Sequence, residues 1–167
     1  GHLVRLTRNP EGLEKLLAHY FGTTVRLTEF LKNWISIEQS DQTRLGSMRM
    51  NNQLGVDAIA GCRVQDDQAK FRLTFAMDIK KYESFLPPGH NNRRLRDWVR
   101  NYIGLEMDWD VQLLLRLEDV PQATLGGNTR LGWTTWIGKR KSGSPADDLR
   151  LNPESDSRRF RRPEFAQ

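Results

Sequence analysis

One pattern occurs twice in this chain, 82 residues apart, and it restricts the available folds more than any other feature. After Asn9-Pro10-Glu11-Gly12, apolar residues stand at Leu13, Leu16, Leu17, Tyr20 and Phe21, and Gly22 follows. The spacing i, i+3, i+4, i+7, i+8 sets them on one face of an amphipathic helix, and the glycine supplies its stop. Leu95, Trp98, Val99, Tyr102, Ile103 and Gly104 superpose on that set without a gap. Behind each glycine a strand keeps the same phase: Val25, Leu27, Glu29 and Leu31 in one copy, Met107, Trp109, Val111 and Leu113 in the other. Two Leu-Gly pairs follow in each copy. Leu45-Gly46 precedes Leu54-Gly55-Val56-Asp57-Ala58-Ile59-Ala60-Gly61, and Leu125-Gly126 precedes Leu131-Gly132-Trp133-Thr134-Thr135-Trp136-Ile137-Gly138.

The expected class is therefore α+β: two similar helix–strand–hairpin units, a pseudo-duplication with mostly antiparallel strands, followed by a polar basic tail. Residues 1–9 form a lead-in, 10–78 the first unit, 79–87 a connector, 88–152 the second unit and 153–167 the tail. Amphipathic helices that end in glycine are common, so coincidence is the competing reading. Within the first unit, Asp57–Val64 and Lys70–Met77 read as two strands of a hairpin joined at Gln65-Asp66-Asp67-Gln68. Phe30–Ile37, with Trp34, reads as irregular structure or a short turn, and Lys80–Leu86 as a short helix ended by Pro87-Pro88-Gly89. In the second unit, Asp148–Leu151 supplies the returning strand. A unit of roughly 65 residues is too small to bury a good core alone, so the two are expected to pack face to face.

Composition narrows the function classes. The 167 residues are 37% hydrophobic and include five tryptophans, which is a folded but polar chain. Its apolar runs are far too short to cross a bilayer. The lone Cys62 excludes an intramolecular disulfide framework and a cysteine-based zinc site, as expected in a reducing compartment. Gly1-His2-Leu3 has no signal-peptide character; it reads as a tag scar or the start of an excised fragment, and the natural protein is expected to extend upstream. Most of the net charge of +5 falls after residue 138. Ser157-Arg158-Arg159-Phe160-Arg161-Arg162 reads either as a solvated tail or as a phosphate-binding arm of a nucleic-acid-binding module.

No residue set reads as a catalytic centre. His2, His19 and His90 lack metal-ligand spacing, Leu125-Gly126-Gly127-Asn128 lacks the Gly-Lys-Ser/Thr of a phosphate loop, and no serine sits in a nucleophile elbow. Glu106, Asp108 and Asp110 alternate with Met107, Trp109 and Val111, so a strand puts the three carboxylates on one face. They read as a solvent face or a partner surface, with an acid/base or cation site as the alternative. No cofactor or metal is expected. Trp133 and Trp136, three apart in an expected strand, point to opposite faces; one reading covers both within the chain, the other buries one against a partner. The partner-interface candidates are Leu131, Trp133, Trp136, Asp108, Trp109 and Asp110.

The runs Asn9-Pro10-Glu11-Gly12-Leu13 through Tyr20-Phe21-Gly22, Arg44-Leu45-Gly46, Leu54-Gly55-Val56-Asp57-Ala58, Lys70-Phe71-Arg72-Leu73, Phe85-Leu86-Pro87, Asp108-Trp109-Asp110-Val111-Gln112-Leu113, Leu131-Gly132-Trp133-Thr134-Thr135-Trp136 and Asp147-Asp148-Leu149 resemble, in order and spacing, the C-terminal half of the TssG family. The resemblance covers about residues 3–152 and leaves the tail outside it. It implies a structural, non-enzymatic subunit of the baseplate of bacterial type VI secretion systems, which are contractile injection machines. In such a wedge the family joins two copies of TssF and contacts TssK trimers, with TssE and other baseplate components as further candidate partners. The implied place is the bacterial cytoplasm, at the baseplate beneath the inner membrane. No residue-level functional motif carries over.

Overall fold

The computed structural model describes residues 9–43, 53, 55, 58, 61–66, 70–87, 89–122, 130–136 and 145–155. The expectations for the Leu-Gly pairs at 45–46 and 125–126, for most of 54–60, for 137–144 and for the tail after Ser155 fall outside them.

Helix α1 (Pro10–Phe21) begins where its sequence says it must. The Asn9 side chain accepts the Gly12 N–H at 2.9 Å, and Pro10, which has no N–H to satisfy, occupies the first turn. Gly22, at φ 58°, ends it in the left-handed region. Strand β1 (Thr24–Thr28) follows. At Phe30, the one non-glycine residue with positive φ (57°) among those described, the chain turns away, after which Leu31 donates to the Lys70 carbonyl at 3.0 Å. A bulky side chain in that conformation costs on the order of 1 kcal/mol. Beyond this bend β2 (Asn33–Ser36) pairs antiparallel with β3 (Arg63–Asp66) as a separate two-stranded sheet.

Two expectations are corrected here. Residues 33–36 are a strand, not irregular. The residues before Gln65 and those after Lys70 do not form a hairpin with each other: β3 pairs with β2, whereas β4 (Lys70–Met77) enters the main sheet. Periodicity located β4, but it missed β2 and put the expected turn residues Gln65 and Asp66 outside the strand that holds them, and it carries no information on pairing partners.

The main sheet has the order β1-β4-β5-β6, where β5 is Asp108–Leu115 and β6 is Ala146–Leu151. Its outer pairs are antiparallel and its central pair, β4 with β5, is parallel. Parallel neighbours need a crossover, and α2 (Ile79–Phe85) with α3 (His90–Ile103) supplies it. Strands from both halves of the chain thus lie side by side in one sheet. The expected face-to-face packing is replaced by a shared core, in which both helical stripes cover the same sheet face.

Strict alternation in β4 sends Phe71, Leu73, Phe75 and Met77 inward, each at most 2% exposed. Their register partners Val25, Trp109, Val111, Leu113 and Leu115 share that face. Leu13, Leu16 and Leu17 of α1, Tyr82 and Phe85 of α2, and Leu95, Val99 and Tyr102 of α3 close over it. Each such side chain contributes about 1.5–3 kcal/mol of burial free energy. The first and third helices touch through a missing side chain: a Cβ on Gly12 would lie 2.3 Å from the Tyr102 hydroxyl, which donates to the Asn9 carbonyl at 3.1 Å. The outer edge of β1 is blunted by its own helix, because the Glu14 carboxylate accepts the Leu27 N–H at 2.6 Å.

The directions of these elements bring several ends together. The starts of α1, β4 and β5 and the finishes of α3, β1 and β6 all lie at one end of the sheet, called the lower end below.

Candidate partner interface

The tryptophan pair does not lie in a strand. Leu131 to Thr134 form a turn held by Trp133 N–H and Thr134 N–H, both donating to the Arg130 carbonyl at 3.0 and 2.9 Å. Arg130 N–H donates in return to Thr134 Oγ1 at 2.8 Å. Both indoles are half-buried against the chain's own core. The Tyr82 hydroxyl donates to the Trp133 carbonyl at 3.0 Å, the Trp136 ring sits 6.0 Å from the Tyr82 ring, and the Arg130 guanidinium lies 5.1 Å from the Trp133 ring centre. Burial, with the nearby charge of Asp148 as a lesser cause, raises the Tyr82 pKa well above its ordinary value, so the phenol stays a neutral donor. The opposite-face expectation is thus corrected, and of this group only Leu131, 88% exposed at the turn tip, is fully offered to a neighbour.

The alternating carboxylates separate in role. Asp110 is 7% exposed, accepting Arg72 Nε at 2.5 Å and Arg72 Nη2 at 2.9 Å, with Lys70 Nζ at 3.3 Å. Burial pushes its pKa up, but the hydrogen bonds and charges of Arg72, then of Lys70, outweigh it and hold the carboxyl below its ordinary range. This ion pair spans the parallel seam, because Arg72 and Asp110 are register partners. Asp110 is therefore a structural cross-link and not solvent face, and Trp109, 4% exposed and stacked on Phe71 at 9°, is core. Asp108 is exposed and accepts Asn33 Nδ2 at 3.0 Å, tying the base of the β2–β3 arm to the sheet. Among the described residues no group of three His, Cys, Asp or Glu side chains is placed to hold a metal ion. No helix among them is long and apolar enough to cross a membrane.

The apolar surface lies at the lower end, and none of its exposed apolar residues is among the interface candidates read from the sequence. Phe30 is 70% exposed, Trp34 62% and Leu105 80%, and Ile35, Val64 and Met107 are exposed as well. Ile35 and Val64 are opposite one another across the arm. A two-stranded sheet with apolar residues on both faces has no core of its own and is marginal unless covered. Beside the arm's base is a groove of about 280 Å³. Leu13, Leu27, Phe30, Phe71, Ile103 and Met107 line it, with Glu29 and Glu106 among its polar residues. Trp34-Ile35 inside a polar stretch was the available signal. It went unused because four residues are too few to separate a strand from a packed loop by periodicity.

Comparisons with known proteins bear on what this surface meets. A family model described as "Type VI secretion, TssG" matches residues 1–138. No curated protein matches the sequence. Among solved structures, the chain superposes on a component of the type VI secretion system TssK-TssF-TssG baseplate subcomplex, seen by cryo-electron microscopy, with a TM-score of 0.64 and 20% identity. That match covers 98% of this chain and 68% of the other. A chain of the baseplate complex from the type VI secretion system matches with a TM-score of 0.60 and 21% identity, over 89% of this chain and 43% of that one. At these identities the likeness is one of fold.

Proposed function

Because the chain belongs to the TssG family of type VI secretion proteins, we propose that it works as a structural subunit of the secretion baseplate, bridging TssF and TssK subunits by protein–protein contacts. Its role is mechanical: it presents surfaces for neighbours to cover and makes or breaks no bond. Its place is the bacterial cytoplasm, at the baseplate beneath the inner membrane. The solved structures that share its fold come from assemblies of this kind. The observation that carries the reading is the lower end itself, where exposed Phe30, Trp34, Ile35, Val64, Leu105 and Met107 cluster around a core-less arm. An obligate interface is apolar at its centre, and a surface of this composition left in water is a liability.

The test is co-purification of the full chain with TssF and with TssK. Trp34→Asp with Ile35→Ser is expected to abolish capture of at least one of them while the thermal melt stays within a few degrees. Leu131→Ser probes the other candidate surface in the same assay. Unchanged capture of both partners by the Trp34/Ile35 variant would remove the arm from the interface.

A further inference from the structure

Two features have no occupant or role assigned so far: the basic segment Ser157-Arg158-Arg159-Phe160-Arg161-Arg162, and the groove at the lower end, which adjoins the exposed arm and shares Phe30 and Met107 with it. We propose that the groove is the docking site for this segment of the same chain, with the Phe160 ring on its apolar floor and the flanking arginines facing its carboxylates. Phe30 and Met107 belong both to this groove and to the surface of the assembly reading, and the label experiment below, made on the chain without partners, reads the segment alone.

Topology delivers the segment to the right place. Leu151 is the register partner of Val111, so β6 leaves the sheet at the end where β5 begins. Just beyond, Arg100 Nε donates to Glu154 Oε1 at 2.7 Å and Arg100 Nη2 donates to Glu154 Oε2, which fixes the chain's exit against α3. Arg100 is three residues before Ile103 and so on a neighbouring part of the helix surface, and Ile103 lines the groove. Phe160 lies five residues beyond Ser155, an extended reach of up to about 17 Å.

Chemistry selects the same segment. On a chain of net charge +5, the groove carries Glu29 and Glu106, neither of which has an ion-pair partner among the described residues, and one cation, Lys70, whose charge is already taken by Asp110 at 3.3 Å. Its floor is aliphatic and aromatic. Its volume of about 280 Å³ lies at the small end of ligand pockets and suits one or two side chains more than a large ligand. An aromatic residue between two arginine pairs matches both halves of that description. A short tether raises the local concentration to the millimolar range, so a weak contact is enough to hold the segment in cis.

The experiment uses the full chain with Cys62→Ser and a nitroxide label at Pro163→Cys. Paramagnetic broadening is expected at the Met107 and Ile103 methyl signals and not at Leu131. Phe160→Ala, or Glu29→Lys with Glu106→Lys, is expected to restore those signals. Added as a free peptide to the Phe160→Ala chain, residues 156–167 should bind about tenfold more weakly once both glutamates are reversed, the loss of about two exposed ion pairs. Arg158→Glu with Arg159→Glu should regain broadening in the double-lysine background. The proposal is overturned if the broadening is absent, is uniform over the surface methyls, or survives Phe160→Ala. It is equally overturned if a label at Thr7→Cys, and not one at Pro163→Cys, broadens Met107 and Ile103, because the groove then belongs to the segment before Asn9. Loss or retention of TssF capture bears only on the assembly reading.

Discussion

Replacing Asp110 by Asn tests whether the parallel seam is held electrostatically. The substitution keeps the side chain's size but leaves Arg72 and Lys70 sharing a half-buried patch without their counter-charge. Asp110's side chain is 10% exposed, and those of Arg72 and Lys70 are 18% and 22%. Removing one member of a fully buried pair costs about 3–5 kcal/mol, and the partial exposure here places the expectation at the bottom of that range, about 3 kcal/mol. For a domain of this size that is a fall of about 6–12 °C in Tm, measured by circular dichroism at pH 7. The acid branch gives a second readout. The folded carboxyl is held below its unfolded value near 3.8, so its contribution is fully present above that value and is lost as pH falls through the folded pKa. The Tm gap between wild type and Asp110→Asn should therefore stay constant from neutral pH down to about 5 and shrink below about 4. A cycle with Arg72→Met should show a coupling of at least about 1 kcal/mol. A Tm change under about 2 °C, or a gap that persists unchanged at acid pH, would refute the cross-link.

Gly12→Ala should destabilise the fold by about 1–3 kcal/mol, because its Cβ would lie 2.3 Å from Tyr102 Oη and 2.5 Å from Asn9 Oδ1. Tyr102→Phe in that background should recover part of the loss, seen as non-additivity in urea melts. Glu14→Ala frees the Leu27 N–H on the outer edge of β1 and is expected to cost about 1 kcal/mol, with increased self-association by light scattering. Trp133→Asp should unfold the 130–136 turn and lower Tm by several degrees, whereas Leu131→Asp should leave the melt unchanged, since one packs on the core and the other is 88% exposed. Removing residues 156–167 should leave the melt of the described fold within about 2 °C; a larger fall would show that the tail supports the core.

The longer local patterns came through, whereas the short ones at 33–36, 65–66 and 131–134 did not. Both amphipathic helices lie where Leu13 to Phe21 and Leu95 to Ile103 put them, with Asn9 and Gly22 closing the ends of the first. The short helix before Pro87, the alternating strand from Lys70 and the returning strand near Asp148 are also present. Such elements depend on side chains within a few residues of one another, so a linear pattern contains them. The candidate interface was less legible. Asp110 carries the mark of a solvent face, yet it is neutralised by Arg72, and Trp109, named as an interface candidate although on the inward parity, stacks on Phe71; both partners arrive from 38 residues away.

The sequence by itself determined the α+β class, both amphipathic helices with their glycine stops and the inward face of the strand from Lys70, because period, capping and glycine stops are properties of consecutive residues. Tertiary structure alone decided that β3 leaves β4 to pair with β2, that β4 and β5 run parallel, and that Phe30, Trp34 and Leu105 stay at the surface. Strand partnership and burial are set by which distant segments close over one another, and that choice depends on the free energy of the whole arrangement rather than on any local run of residues.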